Sequence, residues 1–264
     1  MVKTAPHRAR KRFGQNFLHD PGIIQRIVQA IAPQPGENLV EIGPGQGAIT
    51  TELLTLVGQM HAIELDRDLV TPLAQHCASL GELQIHNSDA LQFDFSQLAE
   101  AGRPLRVVGN LPYNISTPLL FHLLDQSDQI LDMHFMLQKE VVDRMAAAPG
   151  SKTYGRLSVM LQARAEVNSL FNIGPGAFNP PPKVESAFVR LRPSKPSAYR
   201  VDDWPLFSKL VSQAFSQRRK TLRNSLSKIL TADTIRAADI DPGSRAEQLS
   251  VAEFVKLANL HHSG

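Results

Sequence analysis

The chain has 264 residues, 42% of them hydrophobic, enough for one large core and a small second domain. No apolar run is long enough to span a membrane and the start lacks the apolar stretch of a secretion signal, while a lone Cys77 excludes an intrachain disulfide and fits a reducing cytoplasm. The net charge of +3 argues only weakly for a nucleic-acid partner, and nine histidines with one cysteine show no metal-ligand spacing; His261-His262 reads as an exposed tail.

Taken in chain order, the sequence opens with a basic cluster, Lys3, Arg8, Arg10, Lys11 and Arg12. Alone it reads as a solvated tail; in a nucleic-acid enzyme it would become ordered on RNA. The first buried-strand pattern, Leu39–Gly43, runs into glycines at alternate positions, Gly43, Gly45 and Gly47, and the spacing of Ile49, Leu53, Leu54 and Leu56 predicts a helix after them. Glycines there let the backbone turn sharply and approach a ligand closely. Met60–Leu65 is the next strand. It carries Glu64 about twenty positions after Gly43, where an acid at the tip of the neighbouring strand accepts hydrogen bonds from ribose hydroxyls. Gly43-x-Gly45-x-x-Ala48 also satisfies a dinucleotide fingerprint, so the glycine turn alone leaves a dehydrogenase in contention. Two residues count against it. Glu41 sets a negative charge beside any pyrophosphate but suits a cationic sulfonium ligand, and Pro44 removes a backbone donor that a phosphate cradle would use.

Leu83–His86 predicts a third strand, ending in Asn87-Ser88-Asp89-Ala90. Asp89 can cap a short helix from Ala90, accept from the amino group of a bound adenine, or do both. A fourth strand, Arg106–Leu111, overlaps the most informative stretch, Asn110-Leu111-Pro112-Tyr113. The carboxamide of Asn110 and the carbonyl of Leu111 can each accept a hydrogen from an exocyclic amine, and Tyr113 offers an aromatic face for a flat base. As an isolated segment it would be read as an ordinary turn. Leu131–Leu137, Ala165–Ile173 and Ser186–Leu191 complete seven strands, the last two joined through a proline loop; alternation with helices predicts a mostly parallel sheet covered on both faces. Gly43, Glu64, Asp89 and Asn110 then share the carboxyl ends of the strands, where such sheets bind ligands.

Between these strands, Lys152 and Tyr154-Gly155-Arg156 read as a plain exposed loop before a helix. Arg192–Ser197 reads as a linker. Beyond it, Asp202–Leu230 and a final stretch to about Leu260 are helical in pattern, which predicts a catalytic domain over 1–192 and a small all-α domain over 198–264. A helix over Phe215–Leu230 would place Phe215, Leu222, Leu226 and Ile229 on one apolar stripe. Arg219 and Arg223 would stack one turn apart elsewhere, beside Arg218, Lys220 and Lys228. Like charges kept together in this way fit a phosphate-facing surface, with a merely solvated face as the alternative.

Together, Glu41-Ile42-Gly43-Pro44-Gly45-Gln46-Gly47, Glu64-Leu65-Asp66, Asn87-Ser88-Asp89-Ala90 and Asn110-Leu111-Pro112-Tyr113 resemble, in order, the S-adenosylmethionine-dependent adenine-N6 dimethyltransferases of ribosomal RNA. Phe13-Gly14-Gln15-Asn16-Phe17-Leu18, Phe178-Asn179-Pro180-Pro181-Pro182-Lys183-Val184 and Gln217-Arg218-Arg219-Lys220-Thr221-Leu222-Arg223 extend the resemblance. It implies a Rossmann-like methyltransferase fold. Gln15, Asn16 and Leu18 would close over S-adenosylmethionine, with Gly43 and Gly45 in the turn beneath it. Glu64 would hold its ribose, and Asp89 and Ala90 its adenine. Asn110 would touch both the donor and the target amine, which it and Leu111 would grip between the rings of Tyr113 and Phe178, with Arg218, Arg219, Lys220 and Arg223 on the RNA. The proline loop and basic tail resemble the branch that dimethylates two adjacent adenines in the 3′-terminal hairpin of small-subunit RNA. A large-subunit branch linked to macrolide resistance and a non-catalytic assembly factor are the alternatives. The expected partner is an immature small ribosomal subunit, with a monomeric, cytoplasmic enzyme and neither metal nor membrane involved.

Overall fold

The computed structural model describes residues 15–194 and 199–262, the side chain of His262 excepted. The basic cluster at Lys3–Arg12, Phe13 and Gly14, and Lys195–Ser197 of the expected linker lie outside the described residues.

The elements follow the hydrophobic pattern closely. A short β1 (Phe17–Leu18) leads into α1 (Pro21–Ile31), whose first turn is capped by the Asp20 carboxylate accepting from the Ile23 amide at 2.9 Å. Then come β2 (Asn38–Ile42), α2 (Thr50–Val57), β3 (Gln59–Ile63), α3 (Arg67–Cys77), β4 (Glu82–His86), β5 (Leu105–Asn110) and α4 (Ser116–Leu124). After these run β6 (Ile130–Gln138), α5 (Lys139–Met145), α6 (Arg156–Gln162), β7 (Ala165–Ile173), β8 (Phe178–Asn179) and β9 (Ser186–Pro193). The chain continues through α7 (Trp204–Phe215), α8 (Leu222–Ser225), α9 (Ala232–Ala237) and α10 (Val251–His262).

Seven strands form one sheet in the order β4-β3-β2-β5-β6-β9-β7, and β1 pairs with β8 in a separate two-stranded sheet. From β4 to β6 the pairing is parallel; β9 runs antiparallel to β6. The expected seven-stranded, mostly parallel α/β sheet is therefore the observed one. Helices cover both faces, so the central strands are largely apolar and β2 is buried along its whole length, its Glu41 held by Thr50. Chain order reverses between β2 and β5, so the crevice at their carboxyl ends is the place where such a sheet accepts a ligand. At the opposite end, Arg106 is held by both oxygens of Asp132 at 2.9 Å, by Glu37 at 2.7 Å and by the Ile31 carbonyl at 2.7 Å, so this buried cation is fully paired.

By contact the described residues divide into two compact units, one running to Val142 and taking in Asn168–Arg192, the other comprising Asp143–Val167 and the chain from Pro193 onward. The second unit is thus not simply the C-terminal tail, and it is mainly helical. Its core holds Phe207, Leu210, Leu222, Leu226, Ile235, Phe254 and Leu257. Tyr154, expected on an exposed loop, belongs to it: the ring is buried edge-on against Phe215, and the hydroxyl donates to the Leu249 carbonyl at 2.8 Å. Arg192 and Pro193, expected in the linker, close β9 instead.

The continuous helix expected over Phe215–Leu230 does not form. Phe215 ends α7, a turn follows, and only Leu222–Ser225 is helical again. The reason lies in the backbone donors. The Leu222 amide bonds the Ser244 carbonyl at 2.8 Å and the Arg223 amide bonds Pro242 at 3.0 Å, so neither continues an i to i−4 ladder. Leu222 and Leu226 are still buried, which is what the helical period had detected. Arg219 and Arg223 consequently do not stack on one helix face.

Candidate active site

A single cavity at the carboxyl ends of β2, β3 and β5 gathers residues from every rim segment singled out in the sequence. Its lining includes Gln15, Asn16 and Leu18 from the N-terminal strap, Gly43 and Gly45 from the glycine turn, Glu64, Asp89 and Ala90, and Asn110, Leu111 and Tyr113. Positive φ values of 67° at Gly43 and 58° at Gly45 make the turn possible. A Cβ on Gly45 would stand 3.1 Å from the Phe17 ring, so this glycine also lets the strap lie down on the turn.

The strap is tied at both ends. Gln15 Nε2 donates to Asp66 Oδ2 at 3.1 Å, and Phe17 and Leu18 pair with Asn179 and Phe178 across the β1–β8 sheet. Between those anchors the Asn16 carbonyl accepts from Asn110 Nδ2 at 2.9 Å. A carbonyl can only accept, so this contact fixes which way the carboxamide is turned: the nitrogen goes to the strap, and the oxygen is the end left for a donor in the cavity. The Asn110 backbone is set by β5, which approaches β2 so closely that a Cβ on Gly109 would fall 2.5 Å from the Ile42 carbonyl oxygen.

The electrostatics of the cavity are one-sided. Glu41, Glu64 and Asp89 line it, with no lysine or arginine among the described lining residues. Glu41 is 1% exposed and accepts from the Thr50 hydroxyl at 2.6 Å. Burial, with a smaller contribution from the Glu64 charge, pushes its carboxyl up to about 7. Burial also raises the Glu64 carboxyl, against the amides of Asp66 at 2.8 Å and Gly45 at 3.2 Å that donate to it. Asp89 Oδ1 accepts from the Leu91 amide at 2.9 Å and closes a turn over 90–92 rather than a helix. Asn87 Nδ2 donates to the Glu64 carbonyl at 2.7 Å, which ties the loops after β3 and β4 together. Such a cavity favours a ligand that is cationic and offers hydroxyl and amino donors; it repels a pyrophosphate.

Of the residues expected to touch donor or adenine, Phe178 is absent from the cavity lining. Its ring is 2% exposed and packs in the core with Leu18, Met136 and Phe188, because pairing of β8 with β1 turns it inward. Tyr113, by contrast, lines the cavity, and its hydroxyl meets Ser186 Oγ at 2.8 Å. In the second unit, Arg218, Arg219, Lys220 and Arg223 are exposed on the turn and on α8, and Arg218 Nη2 donates to the Lys152 carbonyl at 2.9 Å. Asp66, Ser186 and Gly109 were not singled out as site residues. Only Gly109 carried a signal, since a glycine inside a buried strand marks close backbone approach.

Among the described residues, no group of three or more His, Cys, Asp or Glu side chains is placed to hold a metal ion, and no helix is long and apolar enough to cross a membrane.

Comparison with known proteins finds a matching family and relatives over nearly the whole chain. The family model described as ribosomal RNA adenine dimethylase matches residues 6–262. A Pseudomonas aeruginosa protein named ribosomal RNA small subunit methyltransferase A is 56% identical over 98% of this chain and 97% of its own length. The protein of that name in Nitrosococcus oceani is 57% identical over 97% of each. The crystal structure of a dimethyladenosine transferase from Plasmodium falciparum superposes with a TM-score of 0.80 at 26% identity, covering 91% of this chain and 95% of that one.

Proposed function

The chain belongs to the ribosomal RNA adenine dimethylase family, and from that premise we propose that it dimethylates the N6 amines of two adjacent adenines in the 3′-terminal hairpin of small-subunit ribosomal RNA. Its methyl donor is S-adenosylmethionine and its natural partner the immature small subunit, on which it acts as a monomer. The observation that carries the chemistry is the orientation of Asn110, whose nitrogen is committed to Asn16 and whose oxygen is left to accept.

The residues present suit the donor. Three acids with no lysine or arginine among the described lining residues favour a cationic sulfonium; Glu64 would grip its ribose, and Asp89 has a second oxygen for an adenine amino group. When bound, S-adenosylmethionine supplies an electrophilic methyl carbon on sulfur. Adenine N6 is a weak nucleophile because its lone pair is delocalised into the ring. Asn110 Oδ1 and the Leu111 carbonyl would accept the two amine hydrogens, turn the nitrogen toward tetrahedral geometry and stabilise the positive charge that develops on it. Tyr113 would stack on the flipped base. The proton leaves to water after transfer, so no dedicated base is needed. Phe178 joins this grip only if β1 or the proline loop shifts and uncovers its ring. The exposed Arg218, Arg219, Lys220 and Arg223 would hold phosphates.

The deciding experiment incubates the protein with unmethylated small subunits and labelled donor, then maps dimethyladenosine. Two adjacent dimethylated adenines near the 3′ end are expected. Label on large-subunit RNA alone would move the activity to the other branch, and stabilisation by NAD instead of S-adenosylmethionine would restore the dehydrogenase reading.

A further inference from the structure

Stacking on a base requires only the face of the Tyr113 ring, and a phenylalanine would supply it. Yet the Tyr113 hydroxyl sits 2.8 Å from Ser186 Oγ. Ser186 is 1% exposed and opens β9, where it stands opposite Gln138 in the antiparallel register with β6. The carbonyl just before it, on Glu185, accepts from the Lys139 amide at 2.9 Å. The partner of the tyrosine hydroxyl is therefore fixed to the sheet. At its other end Tyr113 is held by the start of α4: its carbonyl accepts from Ser116 Oγ at 3.1 Å, and the Ile115 amide bonds Pro112 at 3.2 Å. The ring is clamped at both ends. Whichever hydroxyl donates, the phenolic hydrogen and lone pairs have preferred directions about the ring plane, so the bond to Ser186 restrains the tilt of the ring as well as its direction.

We infer that Ser186 is a positioning residue for the target adenine, holding the Tyr113 ring as a preset platform at the mouth of the methyl-transfer site; this rests on the dimethyltransferase reading above. Ser186 touches neither donor nor adenine and acts through Tyr113. The proline loop that begins at Phe178 ends at Ser186, so the same hydroxyl also registers that loop against the platform. Without the bond the ring samples other rotamers, and the base pays the ordering on arrival. One neutral hydrogen bond corresponds to about two- to tenfold in methylation efficiency.

The test compares the full chain with Ser186→Ala, Tyr113→Phe and the double variant. KM and kcat are measured on unmethylated small subunits with labelled S-adenosylmethionine, and donor affinity is measured separately by titration. Each single change is expected to raise KM for the subunit and to lower kcat/KM about two- to tenfold. The double variant should lose no more than either single one, with donor affinity unchanged in all three. A general folding defect would instead lower donor affinity too. Wild-type efficiency in Ser186→Ala, or a double-variant loss equal to the product of the single losses, overturns the inference. A wild-type protein that methylates no small-subunit adenine overturns the functional reading, and this inference with it.

Discussion

Replacing Glu41 by glutamine isolates the cost of keeping a carboxyl buried beside another acid. Glutamine presents the same oxygen to the Thr50 hydroxyl, now 2.6 Å away, so the packing of β2 on α2 is preserved. The carboxyl titrates at about 7 in the folded protein, against an unperturbed 4.5. Between those values the folded state holds a proton that the unfolded chain has released. Stability from this group is therefore fully present below pH 4.5 and is lost as pH rises through about 7. At 1.36 kcal/mol per pH unit, the loss reaches about 3 kcal/mol in mildly alkaline solution. Urea denaturation without ligand should show wild type and Glu41→Gln similar at pH 4.5 to 5 and the variant more stable at pH 8.5. Titrations common to both proteins cancel in the difference. A stability gap between them that does not change with pH would refute the argument. The donor supplies an independent check. A sulfonium entering the cavity favours ionised Glu41, so the substitution should weaken S-adenosylmethionine more than its demethylated, uncharged-sulfur product.

Other perturbations probe the rest of the site. Asn110→Ala should cut methyl transfer by about 10²–10³-fold while leaving the urea midpoint near wild type, because it removes the oriented acceptor but little of the core; labelled-methyl incorporation and a denaturation curve read the two effects. Gly109→Ala forces a Cβ to within 2.5 Å of the Ile42 carbonyl oxygen and should cost about 1–3 kcal/mol in unfolding free energy by prying β5 from β2. Arg219→Ala with Lys220→Ala should weaken binding to small-subunit RNA at low salt and flatten the dependence of log K on log salt by about 1–2 units, with donor affinity unchanged.

The sequence disclosed what is local and missed what two distant segments decide together. All seven strands were legible from short apolar or alternating patterns, and Gly43, Glu64, Asp89 and Asn110 stand at or just beyond the carboxyl ends of four of them. A parallel sheet then brings the endings together without further instruction. The helix expected over Phe215–Leu230 failed for the opposite reason. Its apolar stripe was real, but the Leu222 and Arg223 amides were captured by Ser244 and Pro242, which no window around α8 could have revealed. The burial of Phe178 was hidden in the same way, since its pairing with Leu18 joins two distant segments.

The same distinction separates the site's parts by role. The groups proposed to touch donor or adenine were readable because their chemistry is unusual for where they stand, as with a carboxamide, a proline and an aromatic ring at the end of a buried strand. The groups that hold them at the right angle are ordinary residues: a strap carbonyl at Asn16, a cap at Asp66, a strand hydroxyl at Ser186. Asn16 was expected to serve the donor; it lines the cavity, and its backbone carbonyl also orients Asn110, so the strap proposed to close over one ligand would preset the acceptor for the other. Loosening that strap should therefore damage adenine methylation even at saturating donor, a dependence that composition and motif spacing do not contain.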